Sequence, residues 1–141
     1  MAEFVPDPAF DAGSIAIGEL PLCHVRLQAD ARWPWLILIP RGVGLREIED
    51  LPAADRARLI EESVQAGQAV RAMGDALGRP VEKLNLGALG NVTAQLHVHL
   101  VGRRAGDPAW PGPVWGVGVA EGYDAFGLDM AVLTARQALN L

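Results

Sequence analysis

Gln95-Leu96-His97-Val98-His99-Leu100-Val101 alternates imidazole or amide side chains with aliphatic ones. Successive side chains of a strand point to opposite faces, so this run predicts Gln95, His97, His99 and Val101 on one face and Leu96, Val98 and Leu100 on the other. The aliphatic face suits a core. The other carries imidazoles, which pack poorly but serve near neutral pH as nucleophiles, proton shuttles or metal ligands. Upstream, Lys83 to Leu86 reads as a second strand, joined to the first through Gly87-Ala88-Leu89-Gly90-Asn91, a connection suited to an antiparallel pair.

Further toward the N-terminus, Trp35-Leu36-Ile37-Leu38-Ile39, closed by Pro40, is the continuous apolar run of a central strand covered on both faces. Residues 14–18 and 22–27 read as two short strands around a turn at Glu19-Leu20-Pro21. Between the Trp35 run and the histidines, residues 53–78 place Leu59, Ser63, Val64, Gly67, Val70, Met73 and Leu77 at three- and four-residue steps and predict a long helix. Asp50 is the expected cap and Pro52 the first-turn proline, while Gly78 and Pro80 stop the helix. Residues 108–118, rich in Pro, Gly and Trp, predict an ordered loop, and residues 124–140 a second helix. The order β-β-β-α-β-β-loop-α points to an α+β fold with an antiparallel sheet.

A chain of 141 residues, half of them hydrophobic, fits one domain spanning 1–141, with a core at about 14–104 and a Trp/Pro-rich loop and C-terminal helix at 107–141. Twelve basic against seventeen acidic residues give a net charge of −5, which argues against a protein that coats nucleic acid. The first residues lack a basic and apolar leader pattern, and no stretch approaches a membrane span. Cys23 is the only cysteine, so an intrachain disulfide is impossible and a reducing, cytoplasmic setting is expected. The charge is uneven. Arg26, Arg32, Arg41 and Arg46 form one basic island and Arg103 and Arg104 another, singly expected to be solvated at strand ends.

The segment from Asn85 through Gly87, the Gly90 turn and Gln95-Leu96-His97-Val98-His99-Leu100-Val101 resembles the signature of the histidine triad (HIT) superfamily, in which an N-x-G segment leads into a strand H-φ-H-φ-H-φ-φ. Trp35 to Arg41 is similar to that superfamily's apolar strand ending in Pro-Lys or Pro-Arg, and the resemblance runs from about Leu22 to Arg104. It implies a HIT-like fold and a homodimer. It also implies a hydrolase or nucleotidyl transferase acting on the α-phosphate of a purine nucleotide conjugate, of phosphoramidase or dinucleoside polyphosphate hydrolase type, with no cofactor. By that resemblance His97 is the nucleophile that becomes nucleotidylated, His99 contacts the phosphate oxygens, and Asn85, Thr93, Arg41, Leu27 and Val25 contact the substrate.

The chain departs from the pattern at its first triad position, where Gln95 stands in place of histidine, and Gly42-Val43 follows Pro40-Arg41 where many members carry a supporting histidine. A glutamine amide orients a phosphate or an imidazole but carries no proton near pH 7. A catalytically weak nucleotide-binding or interaction protein is therefore the alternative. Its Trp110 and Trp115 tail would cover a subunit interface or the mouth of the site. A metal-dependent enzyme using the H-x-H pair is the weaker reading, because Cys23 and His24 are adjacent and only one of them could join the pair. His24 is expected to be a sheet residue, Cys23 a small buried side chain, and Asp30 with Arg32 a salt-bridged turn.

Overall fold

A five-stranded antiparallel sheet in the order β1-β2-β3-β5-β4 organises the computed structural model, which describes residues 3–141. Its strands are β1 (Ser14–Glu19), β2 (Cys23–Gln28), β3 (Trp35–Pro40), β4 (Lys83–Gly87) and β5 (Val98–Arg103). The apolar run that reads as a central strand is the central strand. Every residue of β3 is buried, between β2 on one side and β5 on the other.

One face of the sheet packs against the long helix α1 (Ala53–Ala76) and the C-terminal helix α2 (Ala125–Leu139). Val25, Leu27, Leu36, Leu38, Val98 and Leu100 meet Leu59, Ala66, Val70, Met73, Ala131 and Ala135 there. A helix carboxylate is tied into this layer: buried Glu62 accepts the backbone N–H groups of Leu22 and Cys23 at 2.8 Å each. Cys23 is fully buried beside it, and burial together with that carboxylate pushes its thiol up. Helix α1 ends where the chain reaches Gly78 at φ +72°, a left-handed conformation that glycine adopts freely. Asp124 caps α2 through the Gly127 N–H. No helix among the described residues is long and apolar enough to cross a membrane.

The second face is covered by chain rather than by helix. A short 3-10 helix, Pro8–Ala12, lays Phe10 across it with Trp33, Trp35, Ile37, Ile39, Val101 and Val114. The sheet carries its histidines and a buried polar network on this side. Arg26, expected in solvent, is 6% exposed and bonds to Ser14 and Asp11, with a nitrogen 3.2 Å from His24 Nε2. His24 in turn faces Glu19.

Two local expectations are corrected. The strand begins at Val98, not Gln95, because the Leu96 N–H turns away to the Leu45 carbonyl at 2.9 Å and the Gln95 amide is engaged elsewhere. Asp50 does not cap α1; its carboxylate accepts the N–H groups of Arg46 and Glu47 in the turn before the helix, whose first position follows Pro52 without a side-chain cap.

Candidate active site

His97 and His99 come together at the start of β5 with ring centroids 4.9 Å apart. They are held in opposite ways. His97 Nδ1 lies 2.7 Å from the Gln95 backbone carbonyl, which can only accept, so the proton sits on Nδ1 and Nε2 keeps its lone pair. His99 Nδ1 lies 3.0 Å from the Trp35 indole N–H, which can only donate, so Nδ1 is the acceptor and the proton sits on Nε2. Adjacent imidazoles thus offer a free electron pair and a free N–H.

Aromatic rings fix these orientations. Phe10 packs edge-on against His97 at 4.9 Å, and Trp35 and Trp115 flank His99 at 5.6 Å each. Trp115 reaches this position because residue 87 is glycine: a Cβ there would lie 3.0 Å from the Trp115 ring and 3.1 Å from Leu89. Burial, and next the neighbouring His97, push His99 down to about 4, so it stays uncharged at neutral pH.

Two cavities meet at His97. The first, ≈ 190 Å³, is lined by Arg46, Glu47, Ile48, Glu49, the Ala88–Gly90 turn, Leu96 and His97. The second, ≈ 300 Å³, runs from Leu89 through Thr93 to His97, His99 and Trp115. Thr93 therefore lies on the wall that both histidines share. Among the described residues no group of three or more His, Cys, Asp or Glu side chains converges as a metal site would require.

The HIT domain family matches residues 10–106 of this sequence. The chain belongs to the histidine triad family. Solved structures of histidine triad proteins agree over nearly the whole chain. One from Bradyrhizobium japonicum is 36% identical with a TM-score of 0.91, covering 98% of this chain and 99% of its own. Another, from Sinorhizobium meliloti, is 41% identical with a TM-score of 0.86 and covers 96% of each chain. A third, from Marinobacter aquaeolei, is 37% identical with a TM-score of 0.88, covering 99% and 98%. The search of curated proteins finds no match.

Within this HIT domain, several residues expected to contact the substrate have their side chains engaged by other parts of the chain. The Gln95 amide is spent on the N-terminal segment: its Oε1 accepts from Asp7 N at 2.8 Å and its Nε2 donates to the Val5 carbonyl at 2.9 Å. Gln95 serves the site through its main-chain carbonyl alone. Val25 and Leu27 are fully buried on the helix face, where they pack the core. Arg41 is drawn off by Glu19 at 2.7 Å and the Pro21 carbonyl at 2.8 Å. Asn85 accepts from Arg103 at 2.8 Å, joining β4 to a buried ion pair between Arg103 and Asp107. Burial alone would raise the Asp107 carboxyl, but the Arg103 guanidinium and nearby backbone N–H groups hold it well below the usual carboxylate range. Asp30 and Arg32 form the expected salt-bridged turn.

Two other residues border the histidines. Arg46 is exposed, as expected, and borders the first cavity beside His97, and no hydrogen bond among the described residues uses its guanidinium. Trp35, taken as plain core, sets the His99 proton. The signal for Trp35 was present, since Ile37 pairs with His99 in the register and a residue two positions earlier shares that face.

Proposed function

We propose that this HIT domain binds a nucleotide conjugate and transfers its nucleotidyl group through His97, as a hydrolase or transferase. The observation that carries this reading is the contact of His97 Nδ1 with the Gln95 carbonyl, which reserves Nε2 as a nucleophile without a separate base. The Nε2 lone pair bonds to the α-phosphorus as the bond from phosphorus to the leaving group breaks, and that electron pair departs with the leaving group. The ring becomes cationic and keeps its Nδ1–H on the carbonyl. Water then adds to phosphorus and loses its proton to solvent, and the P–N electron pair returns to Nε2.

The His99 Nε2–H is a fixed donor for a non-bridging oxygen, where negative charge builds up in the crowded phosphorus centre. The Thr93 hydroxyl and the Arg46 guanidinium, both on the cavity walls, add a further donor and a positive charge. We also infer a homodimer. Among the described residues the outer edge of β4 is unpaired, and Leu86 on it and Ile60 and Val64 on α1 are exposed. A monomer by sedimentation at micromolar concentration would contradict that.

The test is to incubate the protein with diadenosine tetraphosphate, denature it at neutral pH and examine peptides by mass spectrometry. The expected result is AMP on the peptide holding His97, absent from His97→Ala. No adduct together with no turnover contradicts the reading.

A further inference from the structure

Resting on the nucleotidyl-transfer reading, we propose that the N-terminal strap, residues 5–12, positions the nucleophile. Gln95 and Phe10 are the positioning residues through which it acts on His97. Gln95 steadies the carbonyl that takes the Nδ1 proton, and Phe10 sets the plane of the imidazole ring.

The strap is pinned on both sides of its contact with His97. On the N-terminal side the Gln95 amide binds it as a neighbouring strand would, Oε1 accepting from Asp7 N at 2.8 Å and Nε2 donating to the Val5 carbonyl at 2.9 Å. A planar amide presents its donor and acceptor side by side and so matches a C=O and an N–H two residues apart, whereas the ring nitrogens of an imidazole point away from each other. Asp7 carries the pin forward. Its carboxylate accepts the Ala9 N–H at 2.9 Å and its carbonyl the Phe10 N–H at 3.0 Å, which caps the 3-10 helix. On the C-terminal side the Ser14 hydroxyl donates to the Phe10 carbonyl at 2.5 Å, and buried Arg26 holds Ser14 Oγ at 2.7 Å and the Asp11 carboxylate at 3.1 Å. Phe10 is therefore fixed by its own backbone N–H and C=O. Its buried ring stands edge-on to His97 at an interplanar angle of 81°.

Regular pairing does not reach the nucleophile. The ladder between β3 and β5 runs from the Trp35 and Val101 pair to the Leu38 and Val98 pair, so Gln95 and His97 precede it. The peptide joining Gln95 to Leu96 is held on one edge by the Leu96 N–H on the Leu45 carbonyl, and its other edge is the carbonyl that faces His97. What fixes the Gln95 end of that peptide is the amide bound to the strap. An imidazole that slips from the carbonyl divides between its two tautomers, and the one protonated on Nε2 has no lone pair to offer phosphorus. Supporting residues locked in place keep a reacting atom in line, and a shift of about 1 Å costs up to about 10²-fold in rate.

The experiment compares Gln95→Ala, Phe10→Leu and their double variant with Asp124→Ala, which removes the cap of α2, away from the residues that line the two cavities at His97. Turnover of diadenosine tetraphosphate is measured per folded molecule, and long-range ¹H–¹⁵N spectra report the His97 proton. Gln95→Ala and Phe10→Leu should each lower kcat by about 10-fold or more with KM little changed, and part of the neutral His97 should move its proton to Nε2. The double variant should lose less than the product of the single losses, because both residues act through one ring. Asp124→Ala should leave kcat and the tautomer as they are. Unchanged kcat and an intact Nδ1–H in both single variants, or an equal loss in Asp124→Ala, would overturn the proposal while leaving nucleotidyl transfer intact. No turnover and no adduct on His97 in the unaltered protein would overturn both.

Discussion

The two faces of the sheet are built from the same strands and do different work. On the helix face, aliphatic side chains meet aliphatic side chains, and buried Glu62 of α1 takes up the backbone N–H groups of Leu22 and Cys23. On the other face, the cover is the Val5–Ala12 segment and the loop carrying Trp115. Irregular chain satisfies fewer of its neighbours, so it leaves cavities, free carbonyls and indole N–H groups next to titratable side chains. The paired histidines sit where the cover is irregular.

Breaking this comparison at its most chemical point gives the largest effect. His97→Ala should lower turnover by at least about 10⁴-fold, the order of loss when a covalent nucleophile is removed. Its unfolding midpoint in urea should move little. Leu38→Ala, on the opposite face of the neighbouring strand, should do the reverse: about 2 to 5 kcal/mol of stability lost, with turnover per folded molecule unchanged. Both variants need only a urea titration and an initial-rate assay.

Asp107→Ala comes next. It would strand the Arg103 guanidinium, 1% exposed, without its carboxylate, and loss of one partner of a buried pair costs about 3 to 5 kcal/mol. Denaturant unfolding measures it. The irregular cover is therefore anchored by a buried ion pair, whereas the helix layer is anchored by apolar area.

Acid should separate the faces further. His99 is held down to about 4, below its unfolded value near 6.5, so the folded state binds fewer protons than the unfolded state between those pH values. The stability contributed by keeping it neutral is full above about pH 6.5 and is lost progressively toward pH 4, amounting to about 3 kcal/mol. Urea midpoints across that range, compared with those of His99→Phe, isolate the effect. The smallest change is expected from Gln95→Ala, which removes two hydrogen bonds to the N-terminal segment at about 1 to 2 kcal/mol and should expose Val5 to Asp7 to proteolysis.

The contrast between faces also explains what was legible in the sequence. Periodicity marks surfaces that meet a regular partner, so β3, α1, α2 and the Val98 and Leu100 side of β5 were all readable from spacing. Spacing alone does not place Val25 and Leu27 in the helix-side core, because an apolar residue in a strand reads alike whether it faces a core or a ligand. Gln95 was expected at the phosphate because alternation gives its face but not what covers that face. The cover comes from Val5 and Asp7, some 90 positions away, and no local pattern announces it. Arg41 and Arg46 are both exposed or half-exposed arginines in sequence terms. Only the placement of Glu19 decides which one stays free.

The central claim is that one carbonyl and one indole set opposite proton positions on two adjacent imidazoles. Long-range ¹H–¹⁵N correlation spectra of the histidine side chains test it directly. The account predicts that His97 in its neutral form carries its proton on Nδ1, and that His99 carries its proton on Nε2 and stays neutral down to about pH 5. A neutral His97 protonated on Nε2, or a His99 protonated on Nδ1 at neutral pH, would contradict it.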